Sequence, residues 1–433
     1  MIIKNHLKKL LKYKLFKYFF TKFYSKQVSI DDIKLDEVKK TISKVLDKCK
    51  SKEKLKVCFI VTTESKWKYH LVYETLKLES WVESASIVVV QNTYIKNSLK
   101  KDEFNRAVTW FENNGYEVLN PRVAGYATEV NIQKELKPDI IFYSDPYSFV
   151  GKSYDIARLY KNSLCCYSQY SFMILNAYES FYNLPFHNLL WCFFSETQFH
   201  KKLSEIHAKN EGTNVVVTGY PYSDVLHSAR NTKPKSSRKK IIWAPHHTIS
   251  QDQNQQSNFI ALSRVMKSIS ASYPLIDFVF KPHPNLFNRL CESSLPEWGE
   301  DKAIIYYDWW RGQKNTSIQE GEYTELFLSS DALIHDSASF TLEYMLTGKP
   351  ALFNLNKSIN EYDLNDLGKA ALATSYLGHK EKDIVEFIEN VVINGNDPMI
   401  DIRIDFTKNN LNVSKKELAS QKIVEHLRFA LCK

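Results

Sequence analysis

Four short segments combine prolines, histidines, hydroxyls and carboxylates in a way that could hold and transfer a phosphorylated group. The first is Asp331 to Pro350, DALIHDSASFTLEYMLTGKP. An apolar run ends at Ile334, the polar loop His335-Asp336-Ser337-Ala338-Ser339 follows, and a helix is expected from about Phe340 to Thr347, stopped by Gly348 and Pro350. A helix opening there would aim free backbone N–H groups and the positive end of its dipole into a cleft. The hydroxyls of Ser337 and Ser339 would add donors, so a diphosphate could be bound with neither a glycine-rich turn nor a metal. Asp336 or Ser339 could cap the same helix without giving up that role. Glu343 lies four residues after Ser339, hence on the same face, where a carboxylate could accept hydrogen bonds from ribose hydroxyls.

The second segment is FVFKPHPNL, Phe278 to Leu286. A buried strand should run straight into Lys281-Pro282-His283-Pro284, and prolines on both sides of one imidazole fix its backbone. A histidine held so rigidly could donate to a phosphate or to a leaving oxygen, with Lys281 as a charge partner. The third is IIWAPHHTIS, Ile241 to Ser250, again a strand followed by a polar loop, where at most one of His246 and His247 is expected to face a cleft; His246 is assigned to the donor side. The fourth is TGYPYSDVL, Thr218 to Leu226, where Asp224 is expected to cap a short helix, with a place on the acceptor side as its alternative.

Other chemistries are excluded. With 12 glycines, none spaced i, i+2, there is no GxGxxG turn; no GxxxxGK[ST] occurs either. No two aspartates fall at i, i+2, so a DxD metal clamp is absent. Seven cysteines without a CxxC suggest neither a disulfide framework nor a zinc site, and point to a reduced compartment. No cofactor or metal is expected.

These segments must be positioned by a larger frame. A chain of 433 residues with 44% apolar and 25% charged residues is expected to fold as two globular domains. From Lys56 onward, short β-branched and aromatic runs alternate with amphipathic stretches, the pattern of parallel strands joined by helices. Strands are expected at Val57–Val61, Ser86–Val90, Glu117–Leu119, Asp139–Tyr143, Leu164–Tyr167, Trp191–Phe194 and Val215–Thr218 in a first doubly wound domain (51–230). After a Pro, Ser and Lys-rich linker (231–240), a second domain (241–415) is expected to carry strands at Ile241–Trp243, Asp277–Phe280, Ala303–Tyr306, Ala332–Ile334 and Ala351–Phe353. A last helix (416–433) should cross back to the first domain. Ligands of open α/β sheets bind beyond the carboxyl ends of the strands, so the cleft between the domains is where chemistry belongs.

The net charge of +9 is concentrated in one arm: Met1 to Lys26 carry eight lysines and no acidic residue. Lysines interleaved with Leu, Phe and Tyr read as an amphipathic arm (within 1–50) lying on an anionic membrane surface. A nucleic-acid role is not expected, because the body is close to neutral. Without a run of 18 apolar residues, the protein is expected to be cytoplasmic and peripheral on the inner face of the membrane.

The GYPYSDVL turn, the IIWAPHH strand and loop, the KPHP loop and the DALIHDSASFTLEYMLTGKP loop and helix, in that order over Thr218 to Asn354, resemble the CDP-glycerol glycerophosphotransferases of teichoic acid and capsule assembly. The closing LASQKIVEHL is similar as well. The resemblance implies a GT-B fold of two Rossmann-like domains facing a central cleft. It also implies transfer of a phosphoalcohol from a CDP-linked donor to a hydroxyl of a lipid-linked or polysaccharide acceptor, with release of CMP. It implies that His283 and Ser339 contact the donor diphosphate, that Asp336 shapes their loop, and that Glu343 lies near the nucleoside. His283 and Asp336 are the residues expected to be catalytic. The segment CCYSQYSFMI, Cys165 to Ile174, stands where the wall polymerases have a His-Gly pair, and contains neither residue. The acceptor-side base then falls to His187, Asp145 or His70. The alternatives are a glycosyltransferase of the same fold acting on a nucleotide sugar, and a membrane-docked scaffold without activity.

Overall fold

The computed structural model describes residues 29–92, 97–147, 151–228, 237–249, 257–292, 295, 297–357, 362–414 and 416–432; the basic arm lies outside them. Two six-stranded sheets organise the chain, and every pair within them is parallel.

The first sheet comprises β1 (Leu55–Val61), β2 (Val82–Val89), β3 (Ile140–Tyr143), β4 (Leu164–Ser168), β5 (Cys192–Ser195) and β6 (Val215–Val217), in the order β2-β1-β3-β4-β5-β6. The strand expected at Glu117–Leu119 is reduced to one parallel bridge, Ile87 to Val118, on the outer side of β2. The second sheet comprises β7 (Lys240–Ala244), β8 (Asp277–Phe280), β9 (Thr316–Ile318), β10 (Ala332–His335), β11 (Ala351–Asn354) and β12 (Tyr376–Gly378), in the order β9-β8-β7-β10-β11-β12. The second sheet has the 3-2-1-4-5-6 order of a doubly wound nucleotide-binding fold, and the first, counting the bridge, has the same order with a seventh strand added at the far edge.

Both sheets are covered on both faces, which is why their strands read as continuous apolar runs and not as alternating ones. Adjacent Cys165 and Cys166 illustrate this: each is buried, one on either face of the first sheet. The helices that matter below are α1 (Leu35–Lys50), α2 (His70–Lys77), α3 (Phe259–Ser272), α4 (Ala338–Met345) and α5 (Ala419–Leu431). Ile423, Val424, Leu427 and Leu431 of α5 sink into the core of the first domain, so the last helix does cross back.

The strand expected at Ala303–Tyr306 is instead the middle of a helix, Glu300–Gly312. Ala303, Tyr306, Tyr307 and Trp310 are its buried residues, at the i, i+3, i+4, i+7 spacing of one helical face. Ile304 and Ile305, whose branching suggested a strand, lie exposed on the other side. The true edge strand, Thr316–Ile318, is three residues of a polar stretch.

Candidate functional site

In the second domain the strand order reverses at β7 and β10, and the loops leaving β7, β8 and β10 meet there. The first brings His246 and His247, the second Lys281 and His283, the third Asp336 and Ser337. The His283 N–H donates to the Pro245 carbonyl at 3.2 Å, joining the first two loops. Three imidazoles result, with ring centres 4.3 Å apart for His246 and His247, 4.0 Å for His247 and His283, and 4.9 Å for His246 and His283.

Asp336 braces this arrangement from below. Oδ1 accepts the His246 N–H at 2.5 Å, and Oδ2 accepts the Ser257 hydroxyl at 2.9 Å and the Asn258 N–H, just before α3, at 2.8 Å. Burial pushes the carboxyl up to about 7, opposed by those hydrogen bonds. With both oxygens accepting hydrogen bonds from the loops, Asp336 holds His246 in place, which favours a positioning role over the catalytic one expected of it.

A backbone donor fixes one tautomer: Asn285 N–H points at His283 Nδ1 at 3.1 Å. A nitrogen that accepts an N–H carries no proton, so His283 keeps its proton on Nε2 and offers an Nε2–H donor. His246 Nδ1 lies 2.8 Å from the Thr248 hydroxyl, which can donate or accept. His247 leaves Nδ1 buried without a partner. Burial, and the proximity of the other rings and of Lys281, hold His283 well below the ordinary histidine value; His247 is held down likewise, and burial lowers His246 to about 4. The three nitrogens lie within 4.8 Å of one another, close enough to hold a metal ion, but ligation through Nε2 would require His283 to exchange tautomers and lose its backbone donor. The neutral cluster is better matched to an anion.

Two further features are anion-seeking. Lys281 is buried, sits 5.5 Å over the Tyr323 ring, and forms no ion pair among the described residues. Burial lowers it to about 8, against the pull of Glu320, Glu322 and Glu64. Ser337 is the N-cap of α4 with extended backbone (φ −95°, ψ 122°) and spends no side-chain bond on the cap. Ser339 is partly exposed in the first turn. His335 Nδ1, 3.0 Å from the Ser337 carbonyl, holds that turn from behind.

Glu343 is fully buried one turn into α4. Its oxygens accept the phenols of Tyr220 and, at 2.6 Å, Tyr323. Lys68, from the other domain, lies 3.9 Å away. Burial raises the Glu343 carboxyl, and Lys68 and the phenols oppose this. A ribose would have to compete with those phenols.

The first domain contributes the loop after β1 and Asp145 after β3. Asp145 Oδ2 accepts the Thr62 hydroxyl at 3.0 Å and Lys66 Nζ at 2.9 Å. Lys66 lies 5.9 Å from the rings of both Tyr147 and Tyr170, and its charge reaches His283. Asp145 thus belongs to the opposite wall of the cleft. The other acceptor-side candidates do not. His187 is a core residue packed against Tyr167, Phe186 and Phe193, lowered to about 3 by burial. His70 opens α2 on the surface, 2.8 Å from the Tyr116 hydroxyl. Asp224 caps α5, not its own helix.

Lys66, Lys68, Tyr220, Tyr323 and Ser257 are the site residues that sequence reasoning did not assign. Tyr220 stood inside the quoted GYPYSD turn, a usable signal. Nothing in SKWKYH distinguishes its lysines from surface ones.

No curated relative matches the sequence. Among solved structures, the wall teichoic acid polymerase TagF is 13% identical, with 99% of this chain and 98% of that one covered, at a TM-score of 0.53. A UDP-GlcNAc 2-epimerase of Methanocaldococcus jannaschii is 14% identical over 87% of this chain and 100% of that one, TM-score 0.52. A putative UDP-N-acetylglucosamine 2-epimerase of Listeria monocytogenes is 14% identical over 87% and 96%, TM-score 0.51. At such identities these likenesses establish the fold, GT-B-like with two Rossmann-like domains. The family model described as CDP-Glycerol:Poly(glycerophosphate) glycerophosphotransferase matches residues 195–426, more than half of the chain and all four motif segments. The chain belongs to the CDP-glycerol:poly(glycerophosphate) glycerophosphotransferase family.

Proposed function

We propose that the protein moves glycerol phosphate from CDP-glycerol to a hydroxyl of a lipid-linked or polysaccharide acceptor, releasing CMP. One observation carries the donor half of this reading: an imidazole cluster in which His283 presents Nε2–H, a buried Lys281 without an ion pair among the described residues and the α4 N-terminus converge where the strand order reverses. In this reading the diphosphate lies across that cluster, Ser337 and Ser339 donate to it, and the acceptor oxygen attacks the β-phosphorus in line. The bond from the β-phosphorus to the CMP oxygen breaks, and His283 stabilises the charge that collects there. Asp145, on the facing wall, is the candidate to orient the acceptor hydroxyl; burial of His187 and the surface position of His70 favour it over both.

No helix among the described residues is long and apolar enough to cross a membrane. The interleaved lysines of Met1 to Lys26 support a peripheral position on the anionic inner leaflet, where a lipid-linked acceptor would be met. The deciding experiment is CMP release by the full-length protein supplied with membrane extract, with CDP-glycerol, CDP-ribitol and nucleotide sugars as parallel donors. Release from a CDP-alcohol that disappears in His283→Ala supports phosphoalcohol transfer. Release from a nucleotide sugar alone moves the reaction to glycosyl transfer, and silence with every donor leaves a scaffold.

A further inference from the structure

The segment Glu64 to Lys68, in the loop between β1 and α2, is where the first domain enters the second. Lys68 is buried, and Tyr323 and Glu343 among its partners come from the other domain. Nζ donates to the Tyr323 hydroxyl at 2.6 Å and lies 3.9 and 4.2 Å from the ring centres of Tyr222 and Tyr323, with Glu343 at 3.9 Å. A lysine is expelled from water only where aromatic faces and a carboxylate replace its hydration. If the cleft opens, Lys68 loses Tyr323 and Glu343, its hydrogen-bond acceptor and its carboxylate. The complete cage therefore exists in the closed state alone.

A second observation at the same seam is independent of that lysine. Gly321 of the second domain has φ +77°, and a Cβ there would stand 2.3 Å from Glu64 Oε1. Backbone and carboxylate are thus in direct contact, two residues from Tyr323 on one side and four from Lys68 on the other. Between these anchors sits Lys66, bonded to Asp145 and close enough to His283 to lower it.

We propose that Lys68 is a positioning residue that clamps the β1 loop against the second domain, so that Lys66 stands opposite the imidazole cluster and supplies the first-domain cation facing the transferred phosphate. The proposal rests on the transfer reading above. It assigns Lys68 no contact with donor or acceptor. Its work is to set the distance between the two walls, which a positioned phosphoryl transfer needs more than any single bond.

The test uses the full-length protein with CDP-glycerol and membrane extract. Lys68→Met keeps length and apolar contact with the tyrosines but removes the cation. It is expected to lower kcat by about 50-fold while CDP-glycerol affinity, a property of the second domain, stays within about threefold. Small-angle scattering of the variant with CDP bound should show a larger radius of gyration than wild type. Gly321→Ala, a wedge at the same seam, should reproduce the kcat loss with retained affinity, and provides the second reading if Lys68→Met folds poorly. Lys66→Met should lower kcat without the change in scattering. Wild-type kcat in Lys68→Met, or equal loss of nucleotide affinity and kcat in both seam variants, would overturn the clamp. If the wild-type protein releases no CMP from any CDP-alcohol, the transfer reading has failed, and the scattering difference alone still decides whether Lys68 holds the cleft closed.

Discussion

The carboxylate of Asp224 caps a helix that begins almost two hundred residues later: Oδ2 accepts the Ser420 N–H at 2.8 Å and its hydroxyl at 2.6 Å, and Oδ1 accepts the Ala419 N–H at 3.0 Å. The helix so capped, α5, fills the core of the first domain, so this one side chain ties the turn after β6 to the end of the chain. Removing it leaves buried N–H groups unpaired at a helix start, a cost of about 1–3 kcal/mol. Asp224→Ala should therefore lower the midpoint of urea unfolding, with nucleotide affinity of the folded protein unchanged. A catalytic defect without loss of stability would return Asp224 to the acceptor side.

The fixed tautomer of His283 sets it apart from the other histidines. His283 is held between prolines and presents Nε2–H, so His283→Ala should reduce kcat/KM by about 10²–10³, the range for losing one preorganised donor to developing charge. His283→Gln retains an N–H of similar reach and should recover part of the loss. If glutamine is no better than alanine, proton donation and not hydrogen bonding is what His283 provides.

The same tautomer predicts independence from metal. Protein dialysed against EDTA should keep its CMP release, because His283 offers a protonated Nε2 to an anion and no lone pair to a metal. Zinc in excess should inhibit and raise the apparent KM for CDP-glycerol by occupying the same nitrogens. Stoichiometric metal in the purified protein, lost together with activity on chelation, would reverse the assignment.

Asp336 offers a test of bracing against catalysis. Asp336→Asn keeps one acceptor for the Ser257 and Asn258 donors but puts an amide where the His246 N–H points, or the reverse. Asp336→Ala removes every acceptor and should destabilise the loops by about 2–4 kcal/mol. The asparagine variant should thus keep most of the stability while raising KM for the donor several-fold through a displaced His246. Thermal unfolding and KM measured together distinguish this from a residue whose loss lowers kcat alone.

The frame was legible in the sequence because parallel strands covered on both faces are continuous apolar runs, as LKVCFIV is in β1. Reading failed where a strand was short or a helix carried branched residues. Thr316–Ile318 has too few residues to show a period, and Ile304-Ile305 mimicked a strand from the exposed side of a helix. Donor-side residues lay in contiguous motifs and could be named. Lys68 and Tyr323 could not, since their pairing spans 255 residues and two domains, and neither local sequence carries its signal. Asp224 was identified as a cap, but its helix was the wrong one, for the same reason: a side chain's partner across the fold is set by packing and not by spacing.

Finally, donor binding should depend on pH with a definite sign. Burial holds His246 down to about 4, holds His247 and His283 below the ordinary value, and lowers Lys281 to about 8. A bound diphosphate favours the charged form of each, so binding takes up protons and must weaken as pH rises, by up to tenfold per unit for each full proton taken up. The stability of the empty protein is a poorer probe. Its depressed histidines make the fold lose stability as pH falls below about 6.5, the value they regain on unfolding, whereas Asp336, raised to about 7, contributes the opposite way, favouring the fold below that value and ceasing to do so above it. Titrating CDP-glycerol between pH 6 and 9 avoids this cancellation, because Asp336 next to an incoming anion shifts in the same direction as the others. The enthalpy of binding should vary with the ionisation enthalpy of the buffer in the sense of proton uptake, and His283→Gln should reduce that dependence. An affinity flat across the range, or proton release, would mean that the anion does not sit on the imidazole cluster.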